Sequence, residues 1–394
     1  MDETTALTVK RYFKEYYFKH GSNIKSPSQM ESREFGYFPF GGGMIRHLSF
    51  NDIGTFRALL VKEAPAGVYC SNSLYTDPSA EMTKKGWLKA DLIFDIDADA
   101  LNLPCKKDHD TWVCKQCGKK EFGLRPEMCP ACKGTRLQEV SWTCPLCLDG
   151  TKRETYRLLD FLEKDFGIDD SIIQVFFSGN AGYHIQMEGS ALEKLDQHGR
   201  SEIADYLTAQ GIELELFDNP KISPNDAGWR GRIARYIRDL PPETPPFSTS
   251  EYNKRVAELT GKLKKPQAIQ FLETAVKESS VRIDAAVTTD IHRIFRMPET
   301  LNNKTGFVKR YVVDLSAFDP TVQGIALPEE NELVEVKVES CPKIILGGNT
   351  YGPFKEAGTA ELPLFVAIYL ALKGAAKIVG KLTSAANPAR VAGS

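Results

Sequence analysis

The stretch Ala90-Asp-Leu-Ile-Phe-Asp-Ile-Asp-Ala-Asp-Ala-Leu101 decides the fold. Side chains alternate along a strand, so its apolar residues share one face while Asp95 and Asp97 share the other with Ile93. A carboxylate among apolar neighbours is costly unless an opposite charge meets it. The pattern therefore predicts a buried strand that presents two acids to a divalent cation. A strand end with two solvated acids would explain the same residues.

The same acids resemble the start of a calcium-binding loop, Asp95-x-Asp97-x-Asp99. That loop requires glycine at its sixth position and glutamate at its twelfth. Ala100 and Lys106 stand there instead. We therefore exclude a calcium loop.

The composition indicates a large folded protein without a global charge signature. The chain has 394 residues, 42% of them hydrophobic, and a net charge of -2. A surface for nucleic acid must therefore be a local patch. The polar amino terminus gives no sign of export. Leu362 to Leu372 is too short to span a membrane, and we predict a packed amphipathic helix that runs to about Leu382, followed by a loose tail.

The nine cysteines are distributed unevenly. Seven lie between Cys105 and Cys147, while Cys70 and Cys341 stand alone and are predicted to be ordinary buried thiols. Closely spaced CxxC pairs in a chain without an export signal favour zinc over disulfides.

Eight residues in this segment have the spacing of zinc ligands. They are Cys105, His109, Cys114, Cys117, Cys129, Cys132, Cys144 and Cys147. Eight ligands make two tetrahedral sites. We predict a nested pairing, in which the inner four form a zinc ribbon and the outer four close its base. A sequential pairing, first four and last four, is the alternative. Such sites usually stabilise a fold, and no position is left open for catalysis.

The segment after the cysteines predicts a helix and a hairpin. A helical pattern runs from Lys152 to Phe166 and a strand from Ile172 to Phe177. A turn containing two glycines then leads into a second strand that ends at Met187.

Residues 188–280 are charged and mostly helical in pattern, which predicts an inserted helical subdomain. A proline-rich segment interrupts the helical pattern at Pro241 to Pro246. The basic run from Trp229 to Arg238 is predicted to be a solvated helix face, with a nucleic-acid contact as the alternative.

The hairpin turn Ser178-Gly-Asn-Ala-Gly-Tyr-His184 offers donors for a phosphate chain: a hydroxyl, backbone amides and an imidazole. Glycine at positions 179 and 182 permits close backbone approach. Most such turns only reverse the chain, so the motif alone is weak evidence. It is not a Walker loop, and neither is Lys304-Thr305, which lacks the required glycines.

A third segment, Val281 to Phe307, combines acids and bases. We predict that Asp284 ends an alternating strand and that Thr289 caps a short helix, terminated by Pro298. This helix would carry Arg293 and Arg296 one turn apart.

Two cations in this segment, Arg296 and Lys304, are placed to meet anionic oxygens. Arg293 could instead pair with Asp290 along the helix. On charge alone, Asp290 could also replace Asp284 as a third acid.

Together the three segments resemble the catalytic small subunit of archaeal and eukaryotic DNA primase. The resemblance is carried by Asp-x-Asp on a strand, Ser-Gly-x-x-Gly-x-His on a hairpin, and a late Asp followed by Arg-x-Pro and Lys-Thr-Gly. Glu31 to Gly36, Met44 to Phe50, and zinc-type cysteines between the first two motifs add support. The likeness spans about residues 30–315.

The resemblance implies roles for particular residues. The metal-binding acids would be Asp95, Asp97 and Asp284, the last chosen over Asp290 by alignment on Arg-Met-Pro. The residues that hold the nucleotide would be Arg46, Ser178, Gly179, His184, Arg296 and Lys304.

The chain departs from the family pattern at the nucleotide. Relatives usually carry an arginine inside the Ser-Gly turn, where this chain has Asn180 and Ala181, and histidine where Asn302 stands. Both changes weaken a phosphate donor, so binding of the triphosphate would depend more on Arg46 and Arg296.

The resemblance also implies the architecture. The expected fold class is α/β (α+β): a primase-type mixed-sheet catalytic core with an inserted zinc module and a helical subdomain. The expected divisions are a core of residues 1–103, 149–190 and 281–340, a zinc insertion at 104–148, a helical subdomain at 191–280, and a C-terminal helix and tail at 341–394.

The implied activity is that of a nucleotidyltransferase, a DNA primase that makes short RNA primers de novo on single-stranded DNA for replication. It would use two Mg²⁺ or Mn²⁺ ions, two structural Zn²⁺ ions, ribonucleoside or deoxyribonucleoside triphosphates, and a primase large subunit. We expect no membrane association, and a cytoplasmic location in an archaeon or a nuclear one in a eukaryote. The alternatives are a repair or plasmid primase-polymerase that extends primers, and a catalytically silent zinc-ribbon subunit that binds nucleic acid.

Overall fold

The computed structural model describes residues 1–214, 223–239, 265–328 and 332–381. The proline-rich segment at Pro241 to Pro246 and the tail predicted after Leu382 lie outside these ranges. Within them, no helix combines the length and the apolar character that crossing a bilayer requires.

Helices and strands alternate irregularly along the chain. The helices are α1 (Glu3–His20), α2 (Ile53–Glu63), α3 (Lys106–His109), α4 (Pro145–Lys164), α5 (Gln197–Thr208), α6 (Gly228–Asp239), α7 (Lys265–Ser279), α8 (Ala285–Thr289), α9 (Pro320–Gln323) and α10 (Leu364–Leu372). The strands are β1 (Arg33–Phe38), β2 (Ile45–Leu48), β3 (Gly67–Tyr75), β4 (Trp87–Ala90), β5 (Leu92–Asp97), β6 (Thr111–Cys114), β7 (Lys120–Phe122), β8 (Leu137–Val140), β9 (Ile173–Phe177), β10 (Gly182–Met187), β11 (Ile294–Arg296), β12 (Arg310–Tyr311), β13 (Leu333–Val338), β14 (Ile344–Leu346), β15 (Asn349–Tyr351), β16 (Gly358–Pro363) and β17 (Ala376–Lys381).

Two sheets build the centre of the protein. The first has the order β11-β3-β1-β2, with β4 also paired to β3, and the second has the order β12-β9-β10-β5. The α+β class is confirmed. The mixed sheet is not, because every strand pairing in the described residues is antiparallel. Short connections such as the one between β9 and β10 can join only antiparallel neighbours.

The apolar face of β5 lies in the main core. Its three apolar side chains there are fully buried and pack with the apolar stripe of α4, which includes Leu158, Phe161 and Leu162. The predicted helix begins earlier than Lys152, at Pro145, because proline is well suited to a first helical turn. It ends at Lys164.

The third segment folds differently from its prediction. Asp284 does not end a strand but caps α8, since its carboxylate accepts a hydrogen bond from the Ala286 backbone N–H at 3.0 Å. The predicted helix carrying Arg293 and Arg296 is also wrong. Arg296 lies on β11, opposite Tyr69 of β3, so cross-strand pairing overrides the helical spacing.

The C-terminal prediction was wrong in its extent. The helix α10 ends at Leu372, and Gly374 then adopts a φ of +72°, which suits glycine. The chain continues as β17, which pairs with β13. The predicted helix to Leu382 is therefore a helix and a strand, and the sheet β16-β13-β17 joins the C-terminal part to residues that were assigned to the core.

The described part of 191–280 is helical, as predicted. The basic run from Trp229 to Arg238 falls within α6. Arg230 and Arg238 are exposed, whereas Arg232 is buried and forms ion pairs with Asp160 and Asp165, both at 2.8 Å. One face of this helix is therefore held by carboxylates and the other is solvated.

Gly182 permits the pairing of β5 with β10. It stands opposite Asp97 in the register, and a Cβ atom added there would lie 1.9 Å from the carbonyl oxygen of Ile96. No side chain fits at this distance without separating the two strands.

We expect Gly182→Ala to lower the free energy of unfolding by about 2 kcal/mol or more, through overpacking of a central strand pair. Urea unfolding followed by circular dichroism measures this. The matched control is Gly380→Ala on β17, where an added Cβ meets nothing within 4 Å. Equal stability of the two variants would contradict the prediction.

Candidate functional site

The three predicted acids converge at the end of β5. Asp95 and Asp97 lie on the strand, and the backbone N–H of Asp284 donates to the backbone carbonyl of Asp95 at 2.9 Å. The competing acid, Asp290, lies instead near Arg46, and its negative charge helps to raise the pKa of Arg46. The structure therefore joins Asp284 to the strand.

The electrostatics of this cluster favour bound cations. Burial raises the pKa of Asp95 to about 7, and the nearby charges of Asp97 and Asp284 add to the shift. Burial also raises the pKa of Asp97. Nearby like charges resist ionisation, and a divalent cation removes that penalty. The donor set, carboxylate oxygens, is what Mg²⁺ and Mn²⁺ prefer.

The Ser178 hairpin stands beside the acids and is fixed by a neighbouring loop. Gly179 has a φ of +78°, and an added Cβ would lie 3.2 Å from Asn302 Cβ. Thr305 Oγ1 donates to the Gly179 carbonyl at 2.5 Å. The Ser178 hydroxyl accepts a hydrogen bond from the Asn180 N–H at 3.2 Å, so the turn is closed on itself.

His184 links the hairpin to the acids. It stands opposite Asp95 in the β5–β10 register, with Nε2 3.5 Å from a carboxylate oxygen. Burial, followed by the nearby positive charges, lowers the pKa of His184 well below its usual value. Its Nδ1 is buried and has no partner in the described part of the chain. A neutral imidazole here can donate one hydrogen bond to a phosphate oxygen.

The three predicted cations are placed unequally. Lys304 is exposed, and its positive charge opposes the increase that burial causes in the pKa of Asp97. Arg296 is buried, and its guanidinium donates to the Leu301 carbonyl at 2.6 Å and to the Tyr69 hydroxyl at 3.0 Å. Of these two cations, Lys304 is the one that presents an exposed charge near the acids.

Arg46 is held by a buried carboxylate. Its guanidinium donates twice to Glu34, at 2.9 and 3.1 Å, and Lys85 forms an ion pair with the same group at 2.9 Å. Such a bidentate contact fixes the orientation of a guanidinium. The hydrogen bonds to Glu34 are the main cause that raises the pKa of Arg46, and the charge of Asp290 adds to the increase.

Lys309 is a site residue that the sequence did not reveal. It is 1% exposed, and burial lowers its pKa to about 7. Its positive charge acts to lower the pKa of Asp95. Its ammonium donates to the Arg296 carbonyl at 2.9 Å and lies 4.7 Å from the Phe176 ring centre. No spacing distinguishes it from a surface lysine, because only the pairing of distant strands buries it.

The outer group of cysteines and histidine closes the base of the insertion. Its members are Cys105, His109, Cys144 and Cys147, whose ligand atoms lie within 4.8 Å of one another. The Sγ atom of Cys147 is 3.5 Å from that of Cys105 and 3.7 Å from that of Cys144. Ligands of a tetrahedral zinc with bonds of 2.3 Å stand about 3.8 Å apart. Asp110 contacts His109 Nδ1 at 2.9 Å, which leaves Nε2 facing the thiols.

The inner group lies at the far end of the insertion. Its members are Cys114, Cys117, Cys129 and Cys132. The Sγ atoms are 3.6 Å apart between Cys114 and Cys132, and 3.7 Å apart between Cys117 and Cys129. A backbone hydrogen bond from Cys117 is the main cause that lowers the pKa of Cys114 to about 6. The structure forms the nested grouping and not the sequential one.

Comparison with known proteins assigns the family. A family described as DNA primase small subunit matches residues 140–313, which contain the hairpin and the third acid. The DNA primase small subunit PriS of Nitrosopumilus maritimus is 36% identical over 387 residues, covering 96% of this chain and 100% of the relative. The chain belongs to the DNA primase small subunit family. The PriS proteins of Cenarchaeum symbiosum (35% identical, 95% and 99% covered) and Archaeoglobus fulgidus (30%, 94% and 98%) are also similar.

Membership confirms the resemblance seen in the sequence. It does not favour the repair-type polymerase or the silent binding subunit, since the similar relatives carry the same description over nearly their whole length.

We expect two zinc ions per chain by elemental analysis, one for each group of four ligands. Cys144→Ser should leave one ion and unfold the base of the insertion, because a structural zinc site stabilises a small module by about 10–16 kcal/mol. Cys341→Ala, a buried thiol outside both groups, should keep two. A single ion in the unaltered protein would contradict the nested grouping.

We expect Asp95→Asn to stabilise the protein when no Mg²⁺ or Mn²⁺ is added and zinc is retained. A carboxyl group whose pKa rises to about 7 on folding destabilises the folded state progressively as pH increases from its unfolded value, about 4, to 7. The amide lacks this penalty.

The gain in melting temperature should therefore be small near pH 5 and larger near pH 8. Asp99→Asn, which changes an exposed acid, serves as the control. A gain that is independent of pH would contradict this account of the cluster. Saturating Mg²⁺ should stabilise the unaltered protein and not the variant.

Proposed function

We propose that this chain is the catalytic subunit of a DNA primase that synthesises short RNA primers de novo on single-stranded DNA. One observation carries the proposal: three carboxylates meet a hairpin of phosphate donors at the paired ends of β5 and β10. Family membership supports the same conclusion.

Asp95, Asp97 and Asp284 would hold two divalent cations, Mg²⁺ or Mn²⁺. These cations supply charge neutralisation at the triphosphate and make the attacking 3′-hydroxyl more acidic. The chain itself contributes position: the fixed acids and the closed hairpin need little reorganisation when the substrate arrives.

The triphosphate of the incoming nucleotide would lie against the hairpin. The Ser178 hydroxyl, the backbone at Gly179 and the neutral His184 offer hydrogen bonds, and the exposed Lys304 offers charge. Asn180 supplies an amide where relatives usually carry arginine, so each hydrogen bond there is weaker than a charge-assisted one. We infer that Lys304 carries more of the binding than a surface lysine usually would.

Arg46 and Arg296 would contribute in different ways. Arg46 can face a nucleotide without moving, because Glu34 already orients it. The Arg296 guanidinium already donates to acceptors within the protein. We therefore propose that it holds the loop from Leu301 to Lys304 in place, and that it contacts phosphate only if that loop opens.

We also propose the partners that this activity requires. They are a single-stranded DNA template, ribonucleoside or deoxyribonucleoside triphosphates, and a primase large subunit. The two cysteine-rich groups would hold structural zinc, because all eight ligand positions are filled by the protein.

The test is de novo synthesis on single-stranded DNA with labelled nucleotides and Mn²⁺ or Mg²⁺, with and without an archaeal large subunit. Asp95→Asn and Asp97→Asn should each reduce the rate by about three powers of ten or more, because charge stabilisation by the cations is lost. Asp99→Asn, the next acid along the chain, is the matched control and should retain most activity.

Near-normal synthesis by Asp95→Asn would refute the acid assignment. Extension of a supplied primer without initiation, even with a large subunit present, would refute de novo synthesis and favour the primase-polymerase alternative.

A further inference from the structure

A cavity of about 680 Å³ lies between the two central sheets. Its walls come from both sheets and include Asn72, Ile93, Gln174, Phe176, Gln186 and Phe295. Of the residues that the resemblance assigns to the nucleotide, Arg296 lines the cavity, whereas the three acids, Ser178, His184 and Lys304 do not. The cavity is therefore distinct from the proposed triphosphate position.

An unsatisfied amide points to a ligand in this cavity. Asn72 is only 2% exposed, yet neither its amide nitrogen nor its amide oxygen has a partner in the described part of the chain. Leaving both groups unpaired in a buried place is unfavourable, because neither recovers the hydrogen bond that it makes with water in the unfolded chain. A ligand that donates and accepts at neighbouring positions would recover this energy.

A second unpaired amide and a partly used one face the same space. Gln174, half-buried on β9, makes no side-chain hydrogen bond within the described ranges. Gln186 donates to Asp91 and Glu188 at 3.1 and 3.2 Å, which leaves its carbonyl oxygen free to accept. The cavity thus offers neutral donors and acceptors beside its charged lining residues, which are Lys25, Arg33, Glu188, Arg296 and Glu299.

Three of the lining residues are aromatic. Phe176 lies on one sheet and Phe295 on the other. Tyr311, 51% exposed, contacts Phe176 with a ring-centre distance of 5.6 Å and borders the cavity. Aromatic faces of this kind stack on a planar heterocycle.

The charges indicate how such a ligand would lie. Arg33, deep in the cavity lining, is neutralised by Asp91 at 2.8 Å, so an anion gains little there. Lys25 is exposed and also lines the cavity. A neutral ring inside with a phosphate near Lys25 satisfies both conditions.

We propose that this cavity binds the base of a free purine nucleotide, with its phosphate toward Lys25. An amide that donates and accepts side by side matches the edge of adenine, for which asparagine and glutamine form paired hydrogen bonds. A base of single-stranded DNA shares this chemistry, and the experiment separates the two sources.

The site would communicate with the acids through one aromatic contact. Phe295 lies edge-on to His184, with ring centres 5.2 Å apart, and His184 faces Asp95. A base stacked on Phe295 would restrict this ring, and hence the imidazole that borders the acids.

The test titrates the zinc-loaded chain with adenosine and with AMP, without divalent cations, by calorimetry. Because it uses no triphosphate and no catalytic cation, its result does not depend on primer synthesis. We expect saturable binding of one molecule per chain, with AMP tighter than adenosine. Asn72→Leu should weaken the binding at least tenfold. Lys304→Ala, which alters the triphosphate position, should leave it unchanged.

Photo-crosslinking with 8-azidoadenosine keeps the proposal testable if Asn72→Leu does not fold. We expect label on the peptides that contain Phe176 or Tyr311. Label confined to the loop around Lys304, equal binding by Asn72→Leu when folded, or no saturable binding would overturn the proposal. Displacement of bound adenosine by a single-stranded oligonucleotide would assign the cavity to a template base and overturn the free-nucleotide assignment; persistence of binding would support it.

Discussion

Three carboxylates crowded at the end of one strand form the constraint on which the surrounding structure depends. Burial is the main cause that raises the pKa of Asp95, and repulsion from Asp97 and Asp284 adds to the increase. The acids stay in place because antiparallel backbone pairing with β10 fixes the position of β5. The same pairing brings His184 opposite Asp95 and requires glycine opposite Asp97. Backbone pairing therefore decides where the charges stand.

The position of the outer cysteine group links it to this cluster. Cys105 follows β5 after a short turn, and Cys147 lies in the first turn of α4, the helix that packs against β5 and β10. Lys106 reaches back to donate to the Asp99 carbonyl at 2.9 Å. A metal at this point would fasten the end of the acid-bearing strand to the helix beneath it, so the insertion supports the geometry of the cleft.

The sequence predicted what short-range spacing encodes. Strand alternation placed Asp95 and Asp97 on one face but left solvated acids as an alternative, and the CxxC spacing indicated zinc but left the pairing of the ligands open. Arg296 could not be predicted in the same way, because its strand exists only by pairing with Tyr69, far away in the sequence. Lys309 and Asn72 acquire their character from burial between two sheets, which no local pattern specifies. The strand after Gly374 was hidden for the same reason, since its partner is β13.

The first helix and the last described strand are neighbours: the Ile378 N–H donates to the Thr5 hydroxyl at 2.9 Å, across 373 positions of sequence. A ribosome adding about 5–20 residues per second would take roughly 20–75 seconds to cover that distance. During this time the aromatic face of α1, with Tyr12, Phe13 and Tyr16, lacks part of its final covering. The covering of this helix is therefore completed only when synthesis of the chain is nearly finished.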